Sequence, residues 1–84
     1  MPTDADRAFA RAEILEACQE AYETSPAAWV GWEREDVPEY DLLETAARAL
    51  ADEGLIKATF DEEGAAVEAQ LTAAGVRHVK GGGA

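Results

Sequence analysis

The 84-residue chain contains one cysteine, Cys18, and one histidine, His78. A lone cysteine excludes an internal disulfide bond, which is typical of proteins from a reducing cytoplasm. Because the two residues are far apart in the sequence, the chain lacks the closely spaced ligand pairs of the usual zinc sites. Cys18 is expected to be a small core residue, and His78 a surface residue. We therefore expect a cytoplasmic protein with no metal or other cofactor.

Long apolar segments and basic residues are also scarce. No apolar run approaches the roughly 20 residues that span a membrane, so no membrane association is expected. Seven basic residues oppose eighteen acidic ones, which gives a formal net charge of −11. Such a surface repels nucleic acid and acidic membranes at ordinary salt. The composition resembles that of halophilic proteins, and an acidic protein from an alanine-rich proteome is the alternative.

The sequence offers no set of residues that predicts catalysis. Acidic residues are so abundant that none stands out as a general acid or base. The segment Asp61–Gly64 lacks the alternating oxygen ligands of a calcium loop. The glycines occur singly at turns, without the spacing of a phosphate-binding loop. We therefore expect a protein that is not an enzyme.

The first part of the chain predicts a helix followed by irregular structure. Residues 1–6 are expected to form a disordered lead, although Thr3 and Asp6 have the spacing of a capping box. The first helix then runs to about Glu23. Phe9 falls on its acidic side, so either the first turn is irregular or Phe9 contacts something beyond this helix, such as a partner chain. A short strand at 28–30 should follow.

Gly31 is expected to break that strand, and residues 32–36 have room for about one helical turn. The strand and this turn could also merge into one element. Pro38 suits the first turn of the next helix, which should span about Glu39–Glu53. Its apolar residues repeat with helical spacing, and Gly54 can end the helix in the left-handed conformation. The inward face of this long helix consists of Leu43, Ala46, Ala47 and Leu50.

The spacing of apolar residues then changes to that of β-strands. Alternation predicts one strand over 55–60 and a second over 67–71, joined by the acidic loop Asp61–Gly64. Thr72 can cap a short final helix, with Val76 and Val79 facing inward. Because much of the apolar content is alanine, the core must depend on a few large side chains. These are Ile14, Leu15, Tyr22, Trp29, Trp32, Leu43, Leu50, Leu55, Phe60 and Leu71.

Two motifs carry a resemblance to a known family. The pattern LxxxxxxLxxxGLI over Leu43–Ile56, then a hairpin and LTAAG over Leu71–Gly75, resembles the winged helix-turn-helix superfamily of small bacterial and archaeal proteins. The resemblance covers about residues 7–79, and it implies an α+β winged-helix domain. That domain would have a three-helix core, a small antiparallel β-wing and a short C-terminal helix. Residues 80–84 would be a flexible tail. The second helix has little room and lacks the usual Leu-Ala pair, so the helix-turn-helix unit is degenerate.

In that family the long helix usually enters the major groove, and the wing tip contacts phosphate or the minor groove. Carried over to this chain, the resemblance makes Thr45 and Arg48 the candidates for DNA contact. The outer face of the long helix nevertheless has three acids against one base, and the wing tip has three acids, although phosphate contacts require cations. A solvated helix face and a solvated turn are the plain alternatives. The wing-tip acids are Asp61, Glu62 and Glu63.

These charges favour a non-enzymatic regulatory module that acts mainly through protein contacts, including a homodimer. A DNA-binding transcriptional regulator that works in high salt or with a partner is the alternative. Trp29 and Trp32 are candidates for partner contact, because tryptophan is enriched at the energetic centres of interfaces. In so small a domain, we expect at least one of the two to belong to the core.

Overall fold

The computed structural model describes residues 3–81. It has α+β architecture, with three α-helices and a three-stranded antiparallel sheet, which confirms the predicted class. The first two residues of the expected lead and residues 82–84 of the expected tail lie outside the described part. No helix in residues 3–81 is long and apolar enough to cross a membrane. The elements are α1 (Asp4–Thr24), β1 (Val30–Glu33), a 3-10 turn (Arg34–Asp36), α2 (Tyr40–Asp52), β2 (Ile56–Phe60), β3 (Ala66–Leu71) and α3 (Ala73–Lys80).

The helix α1 begins with the predicted capping box. The Thr3 hydroxyl accepts a hydrogen bond from the Asp6 N–H, and the Asp6 carboxylate accepts one from the Thr3 N–H. These bonds satisfy groups that are otherwise unpaired at a helix start. The helix therefore begins at Asp4, inside the segment 1–6 for which the sequence predicts a disordered lead.

The segment between α1 and α2 differs from the sequence prediction. The strand is Val30–Glu33 rather than 28–30, and Gly31 lies inside it instead of breaking it. Trp32 belongs to this strand, opposite Val67, and only residues 34–36 form a helical turn. The cause is pairing with β3, which satisfies the backbone groups of this segment over the whole strand. Such long-range pairing leaves no signal in the local sequence.

The sheet has the order β1-β3-β2, so β3 is paired on both sides. Val67 lies opposite Trp32 on one neighbour and Phe60 on the other, and Ala69 lies between Val30 and Ala58. Buried and more exposed residues alternate along β3, as the sequence predicts. One face of the sheet thereby packs against the helices.

The ends of α2 are shaped by two residues with positive φ. Glu39 is the N-cap, with a left-handed φ of 58°, so Pro38 precedes the cap and does not lie in the first turn as predicted. Gly54 has the expected left-handed φ of 80°. Its N–H donates to the Ala51 carbonyl, and the Leu55 N–H donates to the Leu50 carbonyl. These two bonds form a Schellman motif, which returns the chain toward β2.

The core lies where α1 and α2 cover the inner face of the sheet. Most large side chains that were expected there are buried or packed at its edge, but Trp29 is 44% exposed and does not contribute. Tyr40 is buried and was not expected. The largest fully buried side chains are Ile14, Cys18, Leu50 and Val67.

Thr72 attaches the helix α3 to the turn between α2 and β2, residues 53–55, which we call the Leu55 turn. The Thr72 hydroxyl accepts from the Gly75 N–H and donates to the Gly54 carbonyl. The Thr72 N–H donates to the Leu55 carbonyl. Gly75 is buried so close to that carbonyl that a Cβ atom would overlap with it. The LTAAG motif is thus explained by a cap and by a close approach of two backbone segments.

Candidate interaction surfaces

The outer face of α2 contains the first two candidate residues. Arg48 is the only basic residue of α2, and its guanidinium lies 4.1 Å from the centre of the Phe60 ring on β2. Its Nε atom is also 3.9 Å from a carboxylate oxygen of Glu44. The side chain is 58% exposed, but it is held against its own sheet by a cation–π contact and a weak ion pair. Its charge is therefore partly compensated within the domain.

Thr45 is exposed on the same helix, and its hydroxyl donates to the Asp41 carbonyl at 2.9 Å. This back-bond uses the hydroxyl proton and leaves the oxygen free only to accept. Thr45 also borders a small cleft of about 230 Å³ between α1 and α2. The cleft is lined by Arg7, Ala8, Arg11, Leu42, Thr45, Ala46 and Ala49.

The β2–β3 loop occupies the position that the sequence assigns to the wing tip. Asp61, Glu62 and Glu63 are all exposed, and none of them forms an ion pair within residues 3–81. The Asp61 carboxylate accepts from the Ala65 N–H at 3.3 Å, which stabilises the turn. The loop therefore presents three carboxylates to solvent, as the sequence predicts.

One arginine joins this loop to the start of α2. The Nε atom of Arg34 donates to the Gly64 carbonyl, and its Nη1 atom lies 3.0 Å from Asp41 Oδ1. Its guanidinium also lies 4.5 Å from the centre of the Tyr40 ring. The Tyr40 hydroxyl is buried without a hydrogen-bond partner among the described residues, and burial raises its pKa. Arg34 thus fixes the orientation of the loop.

Sequence reasoning missed this cluster. Tyr40 could have been found, because it extends the helical spacing of Leu43, Ala47 and Leu50 by three residues toward the N-terminus. The contacts of Arg34 could not have been predicted from the sequence, because they depend on how the β2–β3 loop folds back toward α2.

The two tryptophans lie in different surroundings. Trp32 is half-buried and packs against the core, so the expectation that at least one tryptophan belongs to the core is confirmed. Trp29 precedes β1 and is 44% exposed. Of the pair, Trp29 is the more accessible side chain.

Phe9 is more exposed than either tryptophan, at 69% of its surface. It borders a groove of about 520 Å³ between α1, the segment 36–39 and the start of α2, which we call the Phe9 groove. Its larger apolar lining residues are Phe9, Trp32, Val37, Pro38, Leu42 and Leu43. Its charged lining residues are Glu13, Asp36 and Glu39, and no basic residue among residues 3–81 lines it.

Two further sites, the Arg11–Glu53 pair and Cys18, have structural roles. Arg11 on α1 donates two hydrogen bonds, of 2.5 and 2.6 Å, to the Glu53 carboxylate at the end of α2. These bonds hold the pKa of Glu53 below its ordinary value. Burial raises the pKa of the Cys18 thiol to about 11, so Cys18 is almost entirely protonated at neutral pH. His78 is exposed on α3.

Fold and surfaces together define a small, strongly acidic α+β domain that has an exposed aromatic side chain beside an acidic groove. No family model matches the chain, and no curated protein or solved structure is significantly similar to it.

Proposed function

We propose that this chain is a winged-helix domain that acts as a non-enzymatic regulatory module, mainly through contacts with another protein. The order of the elements supports the winged-helix assignment. A helix, a short strand, a helical turn and a second helix precede a hairpin whose second strand is central in the sheet. In this assignment α2 is the recognition helix, and the β2–β3 loop is the wing.

The position of Arg48 carries the functional proposal. A DNA-reading helix needs free cations or hydrogen-bond donors that reach beyond its own surface. Arg48 instead rests on Phe60 and lies beside Glu44. The Thr45 hydroxyl donates within its own helix. The surface that would face DNA therefore offers mainly carboxylates, which favour a protein partner.

Three further arginines are paired with acidic residues of the domain. Arg7, Arg11 and Arg34 each form an ion pair with an acidic residue. Phosphate contacts supply most of the affinity of nonspecific DNA binding, and they depend on cations that are free to displace counterions. The pairing of these arginines supports the same conclusion as the position of Arg48.

A DNA-binding regulator that works in high salt or with a partner is the second candidate. It is favoured by the exposure of Thr45 and by the 58% exposure of the Arg48 side chain. Molar salt would screen the repulsion between the acidic surface and DNA, but it would also weaken phosphate contacts. A basic partner would then have to supply most of the affinity. We place either module in a cytoplasm, where a free, buried Cys18 is compatible with reducing conditions.

A titration with a fluorescently labelled random-sequence duplex, at about 0.1 M salt, tests the proposal. We expect no binding in the micromolar range. Tight binding that weakens steeply with added salt would instead support the DNA-binding regulator. In that case Arg48→Ala should reduce the affinity more than Arg77→Ala, because Arg48 belongs to the recognition helix.

A further inference from the structure

We propose that the Phe9 groove binds a basic amphipathic helix of a protein partner. The apolar side chains of that helix would enter the groove, and its lysine or arginine side chains would pair with the acidic rim. This inference rests on the proposed function, since it identifies the surface and the chemistry of the partner through which the module acts.

The apolar part of the argument starts from Phe9. An aromatic ring that is 69% exposed has a large unfavourable contact with water, and single buried aromatic residues often dominate interface energetics. Phe9 also stands beside a concave surface rather than on a flat one. Trp32 from β1 and Leu42 from α2 line the same groove. Because three different elements form its walls, the groove exists before a partner binds.

The charges of the groove indicate the sign of the partner. Glu13, Asp36 and Glu39 line it, and all three are exposed. None of the three forms an ion pair in the described part of the chain, residues 3–81. The acidic surface continues along α1, where Glu16 and Glu20 line a second depression that also includes Phe9. Lysine or arginine side chains beside an apolar anchor would complement this pattern.

The backbone at Glu39 adds a separate observation. Glu39 has a φ of 58°, and its side chain makes no capping hydrogen bond. Glycine and asparagine take this conformation at lower cost, and Ser, Thr, Asp or Asn would cap the helix better. Local structure therefore does not account for a glutamate here. Glu39 lines the groove, where its carboxylate adds to the negative charge of the rim.

A second copy of this chain fits the groove less well. Each copy has a net charge of −11, and a symmetric contact through this groove would bring two acidic rims together. The two basic residues of α1 are already paired within the domain, Arg7 with Asp4 and Arg11 with Glu53. DNA is excluded from the groove by the same carboxylates. These arguments select a separate, basic protein partner.

The direct test uses two synthetic peptides and the full chain. The first peptide is an amphipathic helix of about four turns, roughly 16 residues, with leucine at every third or fourth position and lysine elsewhere. The second has the same lysines and serine in place of leucine. Calorimetry at about 0.1 M salt should show micromolar binding of the leucine peptide and at least about tenfold weaker binding of the serine peptide. Binding of the leucine peptide should also change the NMR chemical shifts of the Trp32 indole.

Matched variants localise the binding. Phe9→Ala should weaken binding of the leucine peptide by about tenfold or more, whereas Trp29→Ala removes another exposed aromatic ring and should have little effect. Glu13→Lys should weaken binding, and Glu62→Lys makes the same charge change at the β2–β3 loop and should weaken it less. All four positions are exposed, so the variants should remain folded, which circular dichroism can check.

Several results would overturn the inference. Equal affinity of the two peptides, or an unchanged affinity of Phe9→Ala, would show that the groove is not the site. Dimers in sedimentation that Phe9→Ala abolishes would assign the groove to a second copy. The DNA titration is a separate readout. If the protein binds DNA and also binds the peptide in the groove, only the proposed function is contradicted. If the protein binds neither DNA nor the peptide, only the inference about the groove is contradicted.

Discussion

The guanidinium of Arg48 lies 4.1 Å from the centre of the Phe60 ring and joins α2 to the strand β2. A carboxylate oxygen of Glu44, one helical turn earlier, lies 3.9 Å from the Nε atom of Arg48. The only base of α2 therefore contributes to the cohesion of the domain before any ligand is present. A helix that uses its cation in this way has little left to offer a phosphate backbone.

Replacement of Leu50 by alanine tests the position of the core. Leu50 is completely buried, and it also provides the carbonyl that accepts from the Leu55 N–H. Leu50→Ala should lower the free energy of unfolding by about 2–5 kcal/mol, because it leaves a cavity between α1, α2 and the sheet. Leu42→Ala, at a half-buried position of the same helix, should cost less. Chemical denaturation measures both, and a loss under about 0.5 kcal/mol for Leu50→Ala would contradict its burial.

Replacement of Gly75 by alanine tests the approach of α3 to the Leu55 turn. A Cβ at position 75 would overlap with the Leu55 carbonyl and press on the Leu71 side chain. We expect Gly75→Ala to destabilise the domain by about 2–3 kcal/mol, although alanine is normally the better helix residue. Gly31→Ala is the control, because its Cβ would meet only ordinary contacts at 3.7 Å or more. If both variants have the same melting temperature, α3 does not pack as described.

The Arg11–Glu53 pair predicts a defined dependence of stability on pH. The pKa of Glu53 is lowered in the folded state by the hydrogen bonds from Arg11, so folding is favoured when Glu53 is ionised. This contribution is present above the unfolded-state pKa of about 4.3 and is lost as the pH falls through the lower folded-state value. Both side chains are partly exposed, which limits the contribution to about 1 kcal/mol.

The variant Glu53→Gln isolates this contribution. Its deficit in unfolding free energy relative to the wild-type protein should be largest at neutral pH and should shrink as the pH falls through the lowered folded-state pKa of Glu53. Glu23→Gln changes an exposed carboxylate of α1 that forms no ion pair within residues 3–81, so it serves as the control. A deficit of Glu53→Gln that stays constant from neutral to acidic pH would show that the pair does not contribute in solution.

The density of negative charge predicts that salt stabilises the fold. The carboxylates of Glu33, Glu35 and Asp36 lie within 4.8 Å of one another, and the exposed acids of α1 and of the β2–β3 loop add to the repulsion. The Debye length falls from about 30 Å at 0.01 M to about 3 Å at 1 M salt, which screens these pairs. The melting temperature should therefore rise over this range, equally in sodium and potassium chloride. A flat melting temperature would contradict the halophilic explanation of the charge.

Much of the fold could be predicted because its signals are local. The spacing of Leu43, Ala47 and Leu50 defines α2, Gly54 ends it, and Thr72 caps α3. The extent of β1 could not be predicted, because pairing with β3 determines it. The same is true of the candidate surfaces. The sequence places Phe9 off the apolar side of α1, but only the approach of the segment 36–39 to α1 and α2 forms the groove.

The central claim is that the acidic face of α2 and the acidic β2–β3 loop prevent this domain from binding DNA. The most direct test measures DNA binding by variants in which acidic residues are replaced by lysine. The wild-type protein, Glu62→Lys/Glu63→Lys and the control Glu16→Lys/Glu20→Lys on α1 would be titrated against the same random-sequence duplex. Asp61 stays unchanged because it accepts the Ala65 hydrogen bond. At about 0.1 M salt we predict no micromolar binding of the wild type or the control. The loop variant, which keeps the acidic face of α2, should bind weakly but more tightly than the control, and added salt should weaken this binding. Tight, salt-sensitive binding of the wild-type protein would contradict the account.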